Sequence, residues 1–164
     1  MNISRISSSE TISWIQTSAQ LLVTIPLVSY LLAVLSLWIG FSVNGFIFPV
    51  AVCLSVLWVC TAKNIQRRVK WSGVLTVVGV LLVTILISMY VYDWSYDGQW
   101  YHICTVRELV NGWNPLWDTS VSSSVDRNTA MWVEHYPRGI ETISATVVAV
   151  SYTHLRAHET PEHL

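Results

Sequence analysis

The residues best equipped for chemistry crowd into 93–115, DWSYDGQWYHICTVRELVNGWNP, directly after a long apolar run. Asp97 heads the set. A carboxylate shielded by Tyr96, Trp100 and an apolar medium has its basicity tuned, and such a group can take a proton from a hydroxyl. Aspartate is also a preferred helix N-cap, and Asp97 stands where a helix is expected to begin. The two roles are compatible. Asp93 lies four residues earlier. On one helical turn the two carboxyls would be neighbours, and one would keep its proton; a solvated helix end is the plainer role. His102 and His135 could join an aspartate at a divalent metal, although no spacing ties them together. Interfacial imidazoles bonded to water or backbone are the alternative. Arg107 and Arg138 carry the forked donor geometry that matches phosphate. Arg138 follows Tyr136-Pro137 at an expected helix start, where free N–H groups also favour anions. Both arginines equally suit lipid headgroups. Trp94, Trp100, Trp113, Trp117 and Trp132 offer faces for sugars or anchors for a bilayer interface.

These residues need elements to hold them. The chain has 164 residues, 52% hydrophobic and 12% charged, and its apolar residues are clustered. That pattern marks an all-α membrane protein. A formal net charge of −1 gives no electrostatic argument for a nucleic-acid partner. Residues 1–19 are polar and Ser-rich and read as a cytoplasmic tail or a short interfacial helix. Three apolar runs, about 20–39, 46–61 and 71–92, read as transmembrane helices. Pro26 should kink the first or mark its opening turns. Cys53 and Cys60 fall seven apart in the second run as packing residues, and Cys104 has no obvious disulfide partner.

Orientation follows from AKNIQRRVK, whose Lys63, Arg67, Arg68 and Lys70 should stay cytoplasmic. The loop 93–138 then faces outward. Trp38, Trp71, Tyr90 and Tyr92 fall near span ends, as belt aromatics do. Within the loop, Ile103, Val106, Leu109 and Val110 recur at helical spacing, so 98–111 is expected as an amphipathic helix on the membrane surface, stopped by Asn111-Gly112. The Ser-rich 119–128 is expected as a mobile loop. Pro137 reopens helix, and 139–149 is expected as the start of a truncated fourth span.

The closing stretch 150–164, VSYTHLRAHETPEHL, resembles the read-through translation of a transposon-end sequencing adapter. On that reading it is a non-native tail, the gene is cut near Val148, and His154, His158 and His163 are no metal ligands.

YDGQWYH, NGWNP and HYPRGIE, in this order after membrane helices, resemble the opening of the C-type integral-membrane glycosyltransferases of bacteria, which use polyprenyl-phosphate-linked sugars. The resemblance covers about residues 71–148. It implies a protein of the bacterial inner membrane, with a cytoplasmic N-terminus. Its partners would be the bilayer and a lipid-linked sugar donor, and a divalent metal would be optional. It implies Asp97 as the catalytic base, with Asp93 second. Tyr101, one turn on, would orient Asp97 or the acceptor, and His102, Arg107 and Arg138 would bind substrate. Later helices would be needed to close such a site, so this piece alone is expected to be inactive. The departure from the family pattern is three spans before the acidic loop instead of one. Two other classes stay open: a non-catalytic multispanning protein that binds lipid or a partner, and a transporter. Transporters place charge within their spans, whereas these three runs contain none.

Overall fold

The computed structural model describes residues 3–61, 67–88 and 97–158. Every regular element among them is helical: α1 (Ile3–Trp38), α2 (Ile47–Thr61), α3 (Arg67–Ser88), a π turn (Gly98–His102) that runs into α4 (Ile103–Val110), α5 (Arg127–His135) and α6 (Gly139–His158). The all-helical class expected from the sequence is the class observed. Asp93, Trp94, Tyr96, Tyr90, Tyr92 and Lys63 lie outside the described residues. The chain divides into two compact units, Met1–Val28 with Val52–Tyr92 and Ser29–Ala51 with Asp93–Leu164. α1 and α2 each contribute to both.

The first unit is built from apolar helices. Leu21, Ile25, Val59 and Val77 are buried in it, while Val23, Leu57, Trp58, Leu75, Leu82 and Val83 are exposed. The Trp14 indole N–H donates to the Thr76 hydroxyl at 3.1 Å, and the Ser18 hydroxyl reaches the Gly73 carbonyl at 3.5 Å. Gly73 permits this approach of α1 and α3. A Cβ there would fall 2.5 Å from the Thr17 Cγ2. Gly73→Ala is therefore expected to destabilise the unit by about 1–3 kcal/mol through overpacking. Gly79, with nothing within 4 Å of its Cβ position, is the control; there alanine should stabilise by about 0.4–1 kcal/mol. Denaturant unfolding in micelles, followed by tryptophan fluorescence, reads both.

Helix lengths differ from the expected three spans. α1 is continuous through the polar opening residues and through Pro26, and its apolar stretch Trp14–Trp38 has 25 residues. At a rise of 1.5 Å per residue that covers about 38 Å, enough for a hydrocarbon core of about 30 Å. α2 has only 15 residues, or about 22 Å. It matches the expected run 46–61 to within one residue, opening after a turn in which the Asn44 side chain accepts the Phe46 N–H and the Asn44 carbonyl accepts that of Ile47. α3 begins on the Arg67-Arg68 pair, and its apolar part among the described residues is Trp71–Thr84. Among the described residues one helix is thus long and apolar enough to cross a membrane.

The second unit holds the outer-loop residues. Ala33, Leu109, Val133 and Ala145 are fully buried at its centre, with Leu37, Val43, Tyr101, Trp113 and Val121 around them. α4 ends at the predicted Asn111-Gly112. Gly112 has φ +107°, its N–H donates to Leu109, and the Trp113 N–H reaches back to Glu108. This is a Schellman stop, which needs a residue that tolerates the left-handed region. Gly40 (φ +93°) ends α1 the same way. The expected surface helix over 98–111 is present, but it opens with a π turn, and its inner face (Thr105, Glu108, Leu109) is buried in the unit's own core. The stretch 119–128, expected to be mobile, is tied down. The Val121 N–H donates to the Glu134 carboxylate at 3.0 Å and the Ser122 N–H to Glu108 at 3.1 Å. Asp126 then caps α5 by accepting the N–H groups of Asn128 and Thr129.

Candidate functional site

The π turn decides which side chains meet. The Ile103 N–H donates to the Gly98 carbonyl, an i→i+5 bond. One extra residue enters the turn, a feature that recurs at functional sites. Asp97 and His102 lie five apart, on poorly matched faces of an ordinary α-helix. Across this turn both line one groove of about 900 Å³ formed by α4 and α6. Ile103, Val106, Val110, Ile140 and Val148 supply its apolar wall. Asp97, His102, Arg107 and Glu141 supply its polar part.

Glu141 is the residue that sequence reasoning missed. It lies in the first turn of α6, is buried, and pairs through Oε1 with His102 Nδ1. An acid in a helix's first turn reads from sequence as a complement to the helix dipole. Only the HYPRGIE motif marks it, because its partner is 39 residues away. The contact fixes the imidazole: Nδ1 is committed to the carboxylate, and Nε2 is the ring nitrogen left for a ligand.

Tyr101 stands behind this pair. Its buried ring lies 4.2 Å from that of His102, and it packs against Trp132 and Tyr136 as well. Desolvation first, then the Tyr136 hydroxyl, then the charges of Asp97 and Glu141 raise its pKa above the ordinary value. The folded state therefore holds the Tyr101 proton more tightly than the unfolded chain does. Its stabilising contribution is fully present below the unfolded-state pKa of about 10 and is lost as pH climbs through the higher folded value. Thermal melts should thus show a drop in Tm on the alkaline side, and Tyr101→Phe should blunt it.

Arg138 is placed elsewhere. Its guanidinium donates to the Val133 and Glu134 carbonyls at 3.0–3.2 Å, closing the C-terminus of α5, and lies 5.1 Å over the Trp113 ring. Burial lowers its pKa, with Glu141 and Glu134 acting against that shift. A phosphate would have to displace these contacts. His135 is exposed and pairs with the Met131 carbonyl, away from the groove. Among the described residues no group of three or more His, Cys, Asp or Glu side chains could hold a metal ion. Burial also pushes the Cys104 thiol up, which suits packing rather than nucleophilic attack.

The tryptophans are largely structural. The Trp100 N–H donates to Thr129, the Trp117 N–H donates to the Leu37 carbonyl, and Trp113 is buried. A second, more polar cavity of about 600 Å³ lies at the end of α4, with Asp118, Ser120 and Ser122 in its lining. Arg107 lines both cavities. No family model, curated protein or solved structure matches the chain.

Proposed function

We propose that this chain is the N-terminal part of a bacterial integral-membrane glycosyltransferase that moves a sugar from a polyprenyl-phosphate donor to a hydroxyl acceptor on the outer face of the inner membrane. The observation that carries the reading is the groove, in which one wall is apolar and the other part bears Asp97, His102, Arg107 and Glu141. That division matches a substrate made of an isoprenoid chain and a charged, sugar-bearing head. The long apolar stretch of α1 and the exposed apolar side chains of the first unit support attachment to a bilayer. The full three-span arrangement, with the basic segment 63–70 on the cytoplasmic side, is part of the proposal.

In this mechanism Asp97 takes the acceptor's hydroxyl proton. The acceptor oxygen bonds to the anomeric carbon, and the bond from that carbon to the phosphate oxygen breaks with inversion. The electron pair leaves with the phosphate. Arg107, 56% exposed with its Nε 3.8 Å from the Glu108 carboxylate, would turn its guanidinium to that growing charge. The donor chain would lie along Ile103, Val106 and Val110.

The test is transfer itself. The intact gene product, reconstituted in proteoliposomes, is given polyprenyl-phosphate donors carrying radiolabelled sugars and a panel of hydroxyl acceptors. A labelled acceptor or sugar-lipid product is expected. No transfer from any donor, by protein shown to be folded, would sink the reading and favour a non-catalytic lipid-binding role.

A further inference from the structure

We propose that Asn44-Gly45 is a modification site, at which the Asn44 amide converts spontaneously to a carboxylate through a cyclic imide. The chemistry needs only water and stands apart from the transferase reading.

In this reaction the backbone nitrogen of the following residue attacks the asparagine side-chain carbonyl. Base takes the proton of the Gly45 N–H as that nitrogen bonds to the Asn44 Cγ, and the carbonyl π pair moves onto Oδ1. The intermediate collapses, the bond from Cγ to Nδ2 breaks, and the amide nitrogen leaves as ammonia. Water then opens the five-membered imide. Opening at Cγ gives aspartate, and opening at the backbone carbonyl gives isoaspartate. The net change is amide plus water to carboxylic acid plus ammonia.

Asn44, Asn111, Asn114 and Asn128 are the asparagines of the described residues. Asn114 precedes Pro115, whose nitrogen has no proton to lose. Asn128 precedes Thr129, where a β-branched side chain crowds the ring and Asp126 holds the attacking N–H. Asn44 and Asn111 both precede glycine, which offers no such crowding. The fold separates these two. Asn111 has helical backbone, φ −77° and ψ 0°, and the Gly112 N–H is committed to the Leu109 carbonyl at 3.3 Å. Ring closure there must break that bond and unwind the helix end. Asn44 is exposed in the turn between α1 and α2, and the Gly45 N–H donates to no group among the described residues. The Phe46 N–H donates to the Asn44 Oδ1 at 3.1 Å. That oxygen gains charge under attack, so the turn itself steadies the intermediate. The leaving nitrogen is held only by a 3.5 Å contact to the Ser42 carbonyl.

The product changes the local chemistry, because residues 11–62 contain no charged side chain. Aspartate at this position keeps an acceptor for the Phe46 N–H and sets a negative charge near the start of α2, where the helix dipole favours it. Isoaspartate adds a methylene to the backbone and breaks the geometry in which the Ile47 N–H donates to the Asn44 carbonyl.

The experiment holds the 164-residue chain in micelles, in mildly alkaline buffer made with ¹⁸O water, and maps peptides by tandem mass spectrometry over time. Asn44 is expected to convert roughly tenfold faster than Asn111, about what one hydrogen bond on the attacking nitrogen contributes. It should gain one heavy oxygen and give both aspartate and isoaspartate. In concentrated guanidinium the two rates should converge, since both sites are then plain Asn-Gly pairs. Gly45→Ala should slow Asn44 severalfold and leave Asn111 unchanged. Equal rates in the folded chain, or a faster Asn111, would overturn the proposal. Rates that stay apart in guanidinium would trace the difference to neighbouring residues instead of the fold, and would overturn it too. Conversion to aspartate alone, indifferent to Gly45→Ala, would overturn the imide route.

Discussion

In the proposed transfer reaction, Asp97→Asn is expected to lower kcat by about 10²–10⁴-fold, the usual worth of a positioned general base. KM for the donor should change little, because Asp97 is assigned to the acceptor's proton and not to the phosphate. The substitution is nearly isosteric, and it should be neutral for folding. Among the described residues Asp97 makes no side-chain capping bond to the turn that follows it, and it is exposed. A structural N-cap would show the reverse pattern, with lost stability and turnover following it. Steady-state kinetics with a thermal melt on the same preparation separates the two. Unchanged kcat would remove Asp97 from the mechanism.

Asn114→Ala should be the costliest single polar deletion in the second unit, about 3 kcal/mol. Its amide donates to the Leu37 carbonyl at 2.9 Å and to the Phe41 carbonyl at 3.2 Å, while its Oδ1 accepts the Leu116 N–H. Leu37 and Phe41 flank the Gly40 stop of α1, so one side chain ties the end of that helix to the loop after α4. Each lost bond counts for about 0.5–1.5 kcal/mol net, and a buried carbonyl left unpaired adds about 1–3 kcal/mol. Trp117 still donates to Leu37 and limits the loss. Denaturant titration of the chain in micelles, with the shift in midpoint read at constant slope, measures the effect. A change under about 0.5 kcal/mol would mean that water replaces all three partners.

Much of this arrangement was legible in the residues. Apolar runs became helices, and the glycines at 40 and 112 ended helices because a left-handed terminator has few other candidates. What escaped was either too short to register or set by contacts far along the chain. α5 has nine residues, mostly polar, so its apolar periodicity is too short to register. Its start is marked only by Asp126. The loop at 119–128 looked mobile because its serines say nothing of the Glu108 and Glu134 carboxylates that fasten it. Of the site, Asp97, His102 and Arg107 were visible as residue types, and the groove does bring them together. Arg138 looked equally suited to phosphate. That the α5 carbonyls occupy it is a tertiary fact.

The single inserted residue between Asp97 and Ile103 works as a phase adjuster. A regular α-helix advances about 100° per residue, so removing one position from 98–102 would swing Asp97 around the helix by roughly that angle relative to the imidazole. The segment could stay helical and the core could stay packed, yet acid and base would no longer look into the same trough. Within this stretch, insertions and deletions should be tolerated far less well than substitutions.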